Sequence, residues 1–172
     1  MAVLSVFYPD DYQDSAYGID YVYLYEKGYR GIIYDIDNTL VPHGAPADER
    51  AVRHFSKLTR MGYRFCLISN NKEPRVSSFA KAIGGAFYVY DAHKPSQKAY
   101  LEAVKKMGLS EEQVFFVGDQ IFTDVYGARR AGLYSILVKP IHPKEEIQIV
   151  LKRYLEKIVL FFYKCDKNRK NS

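Results

Sequence analysis

Apolar runs of strand length return at a regular interval through the middle of this chain, and that rhythm constrains the fold more than any other feature. The runs are Gly31 to Tyr34, Arg64 to Ile68, Ala86 to Tyr90, Val114 to Val117 and Tyr134 to Val138, each rich in Ile, Val, Phe and Tyr. Helix-like stretches separate them: Ala47 to Met61, Glu73 to Ile83, Ser96 to Met107 and Phe122 to Ala131, followed by Gly62, Gly84, Gly108 and Gly132. A parallel crossover needs about a dozen residues or more, which three helical turns supply. The pattern therefore predicts an α/β fold, a Rossmann-like three-layer sandwich with a parallel central sheet. Upstream, Ile19 to Lys27 reads as a short helix stopped by Gly28, with a strand as the alternative because the stretch is aromatic. No fixed repeat or low-complexity linker breaks the rhythm, and 172 residues suit one domain, with a core over about 28–140 and a last helix over about 143–165.

In such a sheet every strand delivers its carboxyl end to the same edge, where ligands bind. Four sequence-distant polar clusters follow the strands: Asp35, Asp37 and Asn38; Ser69, Asn70 and Asn71; Lys94; and Gly118, Asp119 and Asp124. Each alone has an ordinary explanation as a turn, a helix cap, a solvated lysine or a carboxylate at a helix start. Their convergence is harder to explain that way. Asp35 and Asp37 stand two apart, so they would point to opposite faces of a continuing strand and can serve one site only if the backbone curls after Tyr34. Several carboxylates at one edge repel one another unless a cation offsets them, and hard oxygen ligands suit Mg²⁺. With a metal present, one carboxylate can attack a phosphoryl group while its neighbour delivers a proton, and Ser69 and Lys94 can hold the phosphoryl oxygens.

The residues Asp-x-Asp-Asn-Thr-Leu (Asp35 to Leu40), Ser-Asn-Asn (Ser69 to Asn71), Lys-Pro (Lys94, Pro95) and Gly-Asp-x-x-x-Thr-Asp (Gly118 to Asp124) resemble the motif set of the haloacid dehalogenase superfamily of phosphatases, in its small YqeG-like branch. The match runs from about Gly31 to Val138. The resemblance implies that Asp35 is a nucleophile forming an aspartyl-phosphate and that Asp37 is the general acid and then base. It implies Mg²⁺ held by the Asp35 side chain, the Asp37 backbone carbonyl and Asp119, with Asp124 either a ligand through water or a partner supporting a ligand. Ser69, Asn70 and Lys94 would bind the substrate phosphate, Lys94 also restraining Asp35. The short gaps from Leu40 to Arg53 and from Ser69 to Lys94 leave no room for the large cap domain of bigger members. Some of the branch resemble phosphatidylglycerophosphate phosphatases, so the expected substrate is a phosphorylated small molecule or a lipid head group.

Charge bears on partners. The net +5 lies entirely in the last segment: 16 basic and 16 acidic residues up to Val138, then 9 and 4 from Lys139 onward. A broadly basic nucleic-acid face over the main body is excluded. Near the end, Ile147, Val150, Leu151, Tyr154, Leu155, Ile158, Phe161 and Phe162 recur at helical spacing beside Lys152, Arg153, Lys157 and a basic tail from Lys164. This stripe suits core packing, the contact of a homo-oligomer, or peripheral attachment to a lipid surface. Two cysteines, Cys66 and Cys165, give no disulfide framework, and no stretch approaches the ~20 apolar residues of a membrane span, so a cytoplasmic setting is expected. The 16 tyrosines are expected to cover the surface with their hydroxyls wet. His43, His54, His93 and His142 lack ligand spacing and receive no metal role. A phospho-accepting receiver-like module, or a membrane-docked scaffold with a vestigial site, are the alternatives to a phosphatase; the second aspartate, which promotes turnover, argues against the receiver.

Overall fold

The structure, a computed structural model, describes residues 4–142 and 147–170, with side chains in the last helix described over 152–168. Among the described residues six strands form one parallel sheet: β1 (Asp11–Gln13), β2 (Gly31–Tyr34), β3 (Arg64–Ile68), β4 (Phe87–Val89), β5 (Val114–Gly118) and β6 (Tyr134–Val138), in the order β1-β6-β5-β2-β3-β4. The chain builds outward from β2 through β3 to β4, then returns to the other side of β2 with β5 and β6. Strand order thus reverses between β2 and β5, and the crevice beyond their carboxyl ends is where an open α/β sheet accommodates a ligand.

The helices are α1 (Tyr21–Glu26), α2 (Glu49–Arg60), α3 (Glu73–Ala82), α4 (Gln97–Met107), α5 (Tyr126–Arg130) and α6 (Ile147–Lys170). Local chemistry explains their ends and faces. Asp48 caps α2 by accepting from the Ala51 amide, and Ala51, Phe55 and Leu58 then fall on one buried face. Helix α4 buries Ala99, Tyr100, Ala103, Val104 and Met107, and closes at Gly108, whose φ of 65° lies in the left-handed region glycine enters without a Cβ penalty. All four residues of β2 are buried, which requires cover on both faces of the sheet; Ile32 and Tyr34 pack into one core cluster and Ile33 into the other.

The parallel α/β sheet predicted from the sequence is therefore present, and the short aromatic stretch near the start is a helix. Three features differ from expectation. The edge strand β1 has no apolar run; it exists because Asp11, Tyr12 and Gln13 pair with Ile136, Leu137 and Val138. The expected helix from Phe122 begins instead as a wide π-type turn over Ile121–Val125, with the Val125 amide bonded to the Gln120 carbonyl, before α5 proper. The tyrosines are not simply a wetted surface. Tyr34 donates to the Tyr21 hydroxyl at 2.8 Å, Tyr21 donates to the Ala16 carbonyl, and Tyr63 donates to the Tyr21 carbonyl, all buried. With the Tyr34 proton committed, His54 Nε2, 3.1 Å away, is the donor to Tyr34.

Helix α6 lies against the body. Val159 is buried in a cluster with Ile121, Val125 and Leu137, and Tyr163 is also buried, while Tyr154, Leu155, Ile158 and Phe161 on the other side are exposed. Of the stripe singled out in the sequence, the side chains of Ile147, Val150 and Leu151 lie outside the described residues, as does the expected helix start at 143–146; so do the side chains of Arg169 and Lys170 and residues 171–172 of the basic tail.

Candidate active site

After β2 the ladder continues one residue further, the Asp35 amide donating to the Val117 carbonyl, and then the backbone curls. The Ile36 carbonyl accepts from the amides of Thr39 and Leu40, and Asn38 takes a φ of 62°. This curl lets two carboxylates two positions apart face one crevice. Asp35 points into the buried centre. Asp37 lines the rim, where Asn71 Nδ2 donates to Oδ2 at 2.7 Å, and Arg75 (3.0 Å) and the Gly44 amide (2.8 Å) donate to Oδ1.

From β5, Gly118 leads into Asp119 and Asp124. A Cβ at Gly118 would stand 2.5 Å from Asp124 Oδ2, so glycine is what allows this carboxylate to fold back against the strand end. There Asp124 Oδ2 accepts from the amides of Asp119 and Gln120, both at 3.1 Å. Tyr100 Oη steadies the turn by donating to the Thr123 carbonyl at 2.9 Å. Lys94 Nζ bridges Asp35 Oδ1 at 2.6 Å and Asp124 Oδ1 at 2.7 Å, with its side chain almost wholly enclosed. The Thr39 hydroxyl stands between Asp35 Oδ2 (3.4 Å) and Asp119 Oδ1 (3.2 Å).

From β3, the buried Ser69 accepts from the Asn71 amide at 3.1 Å, and Asn70 Oδ1 accepts from the Lys94 amide at 2.8 Å. All seven residues expected from the sequence thus meet at one edge; Asn70 lines the crevice and its side-chain oxygen holds the Lys94 amide. A depression of about 250 Å³ is lined by Asp35, Asp37, His43, Ser69, Lys94 and Lys152, among others. A larger hollow of about 620 Å³ flanks the β4 edge, away from these groups.

The charge balance is unusual. Burial pushes the Asp35 carboxyl up to about 7, with Lys94 pulling it down and Asp124 pushing further. Burial, then Asp124 and Asp35, hold Asp119 well above the ordinary carboxylate range despite the pull of Arg153. Burial alone would lower Lys94; Asp124 and Asp35 outweigh it and hold the ammonium well above its usual value. Asp35, Asp119 and Asp124 offer oxygens that all lie within 4.8 Å of one another. An all-oxygen donor set, buried and short of positive charge, fits a hard divalent cation such as Mg²⁺.

Helix α6 supplies part of this wall. Arg153 Nη1 donates to the Asp119 carbonyl at 2.5 Å and to Glu156 Oε2 at 2.9 Å, and Nη2 donates to Asp119 Oδ2. Glu156 Oε1 accepts from the Ile121 amide at 2.8 Å. Arg153, one of the basic residues beside the apolar stripe that a lipid surface could attract, faces the carboxylates instead, because the face it shares with Glu156 and Val159 is the buried one. Arg75, Tyr100, Thr39 and Glu156 were not given roles by sequence reasoning. Thr39 lies inside a quoted motif and was findable; Arg75, Tyr100 and Glu156 sit on helices with nothing nearby to mark them.

A family model of haloacid dehalogenase-like hydrolases matches residues 43–132. The chain is 36% identical over 155 residues to the Bacillus subtilis (strain 168) protein named "Probable phosphatase YqeG", covering 90% of each. The chain is a haloacid dehalogenase-like hydrolase. Within that family it is a phosphatase of the YqeG-like branch, as its motifs implied. The hydrolase is also 28% identical over 165 residues to phosphatidylglycerophosphate phosphatase 1, chloroplastic/mitochondrial, of Arabidopsis thaliana, covering 81% of this chain and 45% of that protein. Its fold resembles that of a Vibrio cholerae protein assigned as a 3-deoxy-D-manno-octulosonate 8-phosphate phosphatase, with a TM-score of 0.54, 20% identity and coverage of 76% and 78%. The family match begins at residue 43, so Asp35 and Asp37 lie outside it and inside the YqeG-like relationship.

Proposed function

We propose that this hydrolase is a Mg²⁺-dependent phosphatase that passes a phosphoryl group through Asp35, with phosphatidylglycerophosphate as the substrate it is built for. The buried meeting of Asp35, Asp119 and Asp124, two of them bridged by Lys94, is the observation that carries the chemical part. Asp35 and Asp119 would hold the cation together with the Asp37 carbonyl. Asp124, whose two oxygens are already engaged by Lys94 and two amides, would act by fixing Lys94 and the turn. The cation, when bound, neutralises charge on the transferring phosphoryl oxygens.

The chain's own residues do the rest. Lys94 and the Ser69 hydroxyl bind the phosphoryl oxygens, while Asn70 holds the Lys94 backbone in place. An Asp35 oxygen bonds to phosphorus as the ester P–O bond breaks, and Asp37 gives a proton to the departing alkoxide. Water then attacks the aspartyl-phosphate, Asp37 takes its proton, and inorganic phosphate leaves with Asp35 regenerated. Arg75, Asn71 and the Gly44 amide keep the Asp37 carboxyl at the rim, where the leaving oxygen would stand.

Three features support a lipid head group. The Arabidopsis relative bears that activity in its name. Lys152 stands at the mouth, suited to a second anionic group beyond the phosphomonoester. The exposed Leu155, Ile158 and Phe161 continue from that mouth along α6 beside Lys157 and Lys164, a face suited to shallow contact with an anionic bilayer. No described helix is long and apolar enough to cross a membrane. The test is phosphate release from phosphatidylglycerophosphate, glycerol phosphates, sugar phosphates and nucleotides, with and without Mg²⁺. The lipid should be preferred, and Asp35→Asn should lower turnover at least about 10³-fold. Retained turnover in that variant rejects Asp35; preference for a soluble ester rejects the lipid assignment.

A further inference from the structure

Asp119 is gripped from two opposite sides. The Thr39 hydroxyl touches Oδ1, the oxygen on the side shared with Asp35. Arg153 takes Oδ2 and the carbonyl of the same residue, so one guanidinium fixes both the side chain and the backbone of Asp119. That guanidinium is itself fixed by Glu156, which also receives the Ile121 amide two residues beyond Asp119. Arg153 and Glu156 are largely enclosed, with side-chain exposures of 17% and 7%, so these bonds operate with little competition from water.

We propose that Arg153, braced by Glu156, is a positioning residue that aims Oδ1 of Asp119 toward Asp35 for cation binding, making α6 a working wall of the active site and not a mere appendage. This rests on the Mg²⁺ reading above. An aspartate free to rotate must be ordered by the metal at the moment of binding. One already clamped through Oδ2 presents Oδ1 in place, leaving, among the described residues, only the neutral Thr39 hydroxyl to be displaced from it. Partners that orient metal ligands in this way are typically worth 10- to 100-fold in metal affinity. The opposite sign is also physically meaningful: a guanidinium beside the cation repels it, and if that effect dominated, removing Arg153 would tighten binding.

Calorimetric Mg²⁺ titration of the full chain separates the cases. Arg153→Gln should weaken Mg²⁺ binding about 10- to 100-fold, with Arg153→Lys recovering part of the loss. Glu156→Gln, which keeps an acceptor for the Ile121 amide but uncouples the brace, should fall between wild type and Arg153→Gln and serves if the latter folds poorly. Val159→Ala loosens α6 through its apolar face and should lower thermal stability while leaving Mg²⁺ affinity within about twofold. Equal or tighter Mg²⁺ binding by Arg153→Gln and Glu156→Gln overturns the positioning role, as does an equal loss in Val159→Ala. A wild-type chain that binds no divalent cation overturns the Mg²⁺ reading itself and the positioning role with it.

Discussion

Lys94 lies 2.6 Å from Asp35 and 2.7 Å from Asp124 with almost no access to solvent, so removing its charge strands two buried carboxylates. Breaking a buried ion pair from one side costs about 3–5 kcal/mol, most of it the penalty of the orphaned charge. Lys94→Met should therefore destabilise the chain by about that amount in urea unfolding. Adding Asp124→Asn should return part of the loss, because the two residues share one network and their effects do not add. The residues that could be read from the sequence are those that follow an apolar run: Asp35, Ser69 and Asp119 each stand at the end of a strand, where topology alone assigns them to one edge. Arg75 and Arg153 reach the same edge from helices α3 and α6. Their sequence neighbours say nothing about it, since the face a helix turns inward at a sheet edge depends on how the whole helix docks.

Elements show the same division. Strands β2, β3 and β6 fall on the bounds predicted from their apolar runs because both faces of the sheet are covered and nearly every buried position is apolar, Ser135, hydrogen-bonded to Asp10, being the polar one. Strand β1 and the π-type turn were not legible. One is recruited by pairing with β6, and the other is bent by Asp124 reaching back to the amides of Asp119 and Gln120. The tight fit where β5 meets this turn makes a sharp prediction. Gly118→Ala places a methyl 2.5 Å from the Asp124 carboxylate and 2.6 Å from the Phe116 ring. Overpacking of this kind costs about 1–3 kcal/mol, and displacing Asp124 should lower phosphatase turnover as well. For α6 the two faces should separate cleanly in the same unfolding assay. Leu155→Ser on the open side should change stability by less than about 0.5 kcal/mol, whereas the buried Val159→Ala should cost more than that.

At the scale of the whole molecule, pH also acts through a histidine that does not line the catalytic depression. Burial, followed by Lys57 and Arg50, lowers His54 to about 4, against an ordinary value of 6.5. The unfolded chain therefore takes up a proton at His54 between pH 6.5 and 4 while the folded chain does not. Stability contributed by the neutral ring is complete above pH 6.5 and is lost as pH falls through that window, by up to about 3 kcal/mol. Asp35 and Asp119, raised by burial, act with the opposite sign over the same range, so the His54 contribution is read as a difference: in urea unfolding from pH 6.5 to 4, the stability of wild type relative to His54→Gln should decline. The ring donates to Tyr34, which opens the chain of buried hydroxyls ending at the Ala16 carbonyl. That chain has a practical consequence. The protein contains no tryptophan, and burial holds the phenols of Tyr21, Tyr34 and Tyr100 well above their ordinary ionisation range. In an alkaline titration followed by ultraviolet absorbance these three should stay dark while the exposed phenols colour first, and should light up only when the interior opens, giving the molecule a built-in optical gauge of its own unfolding.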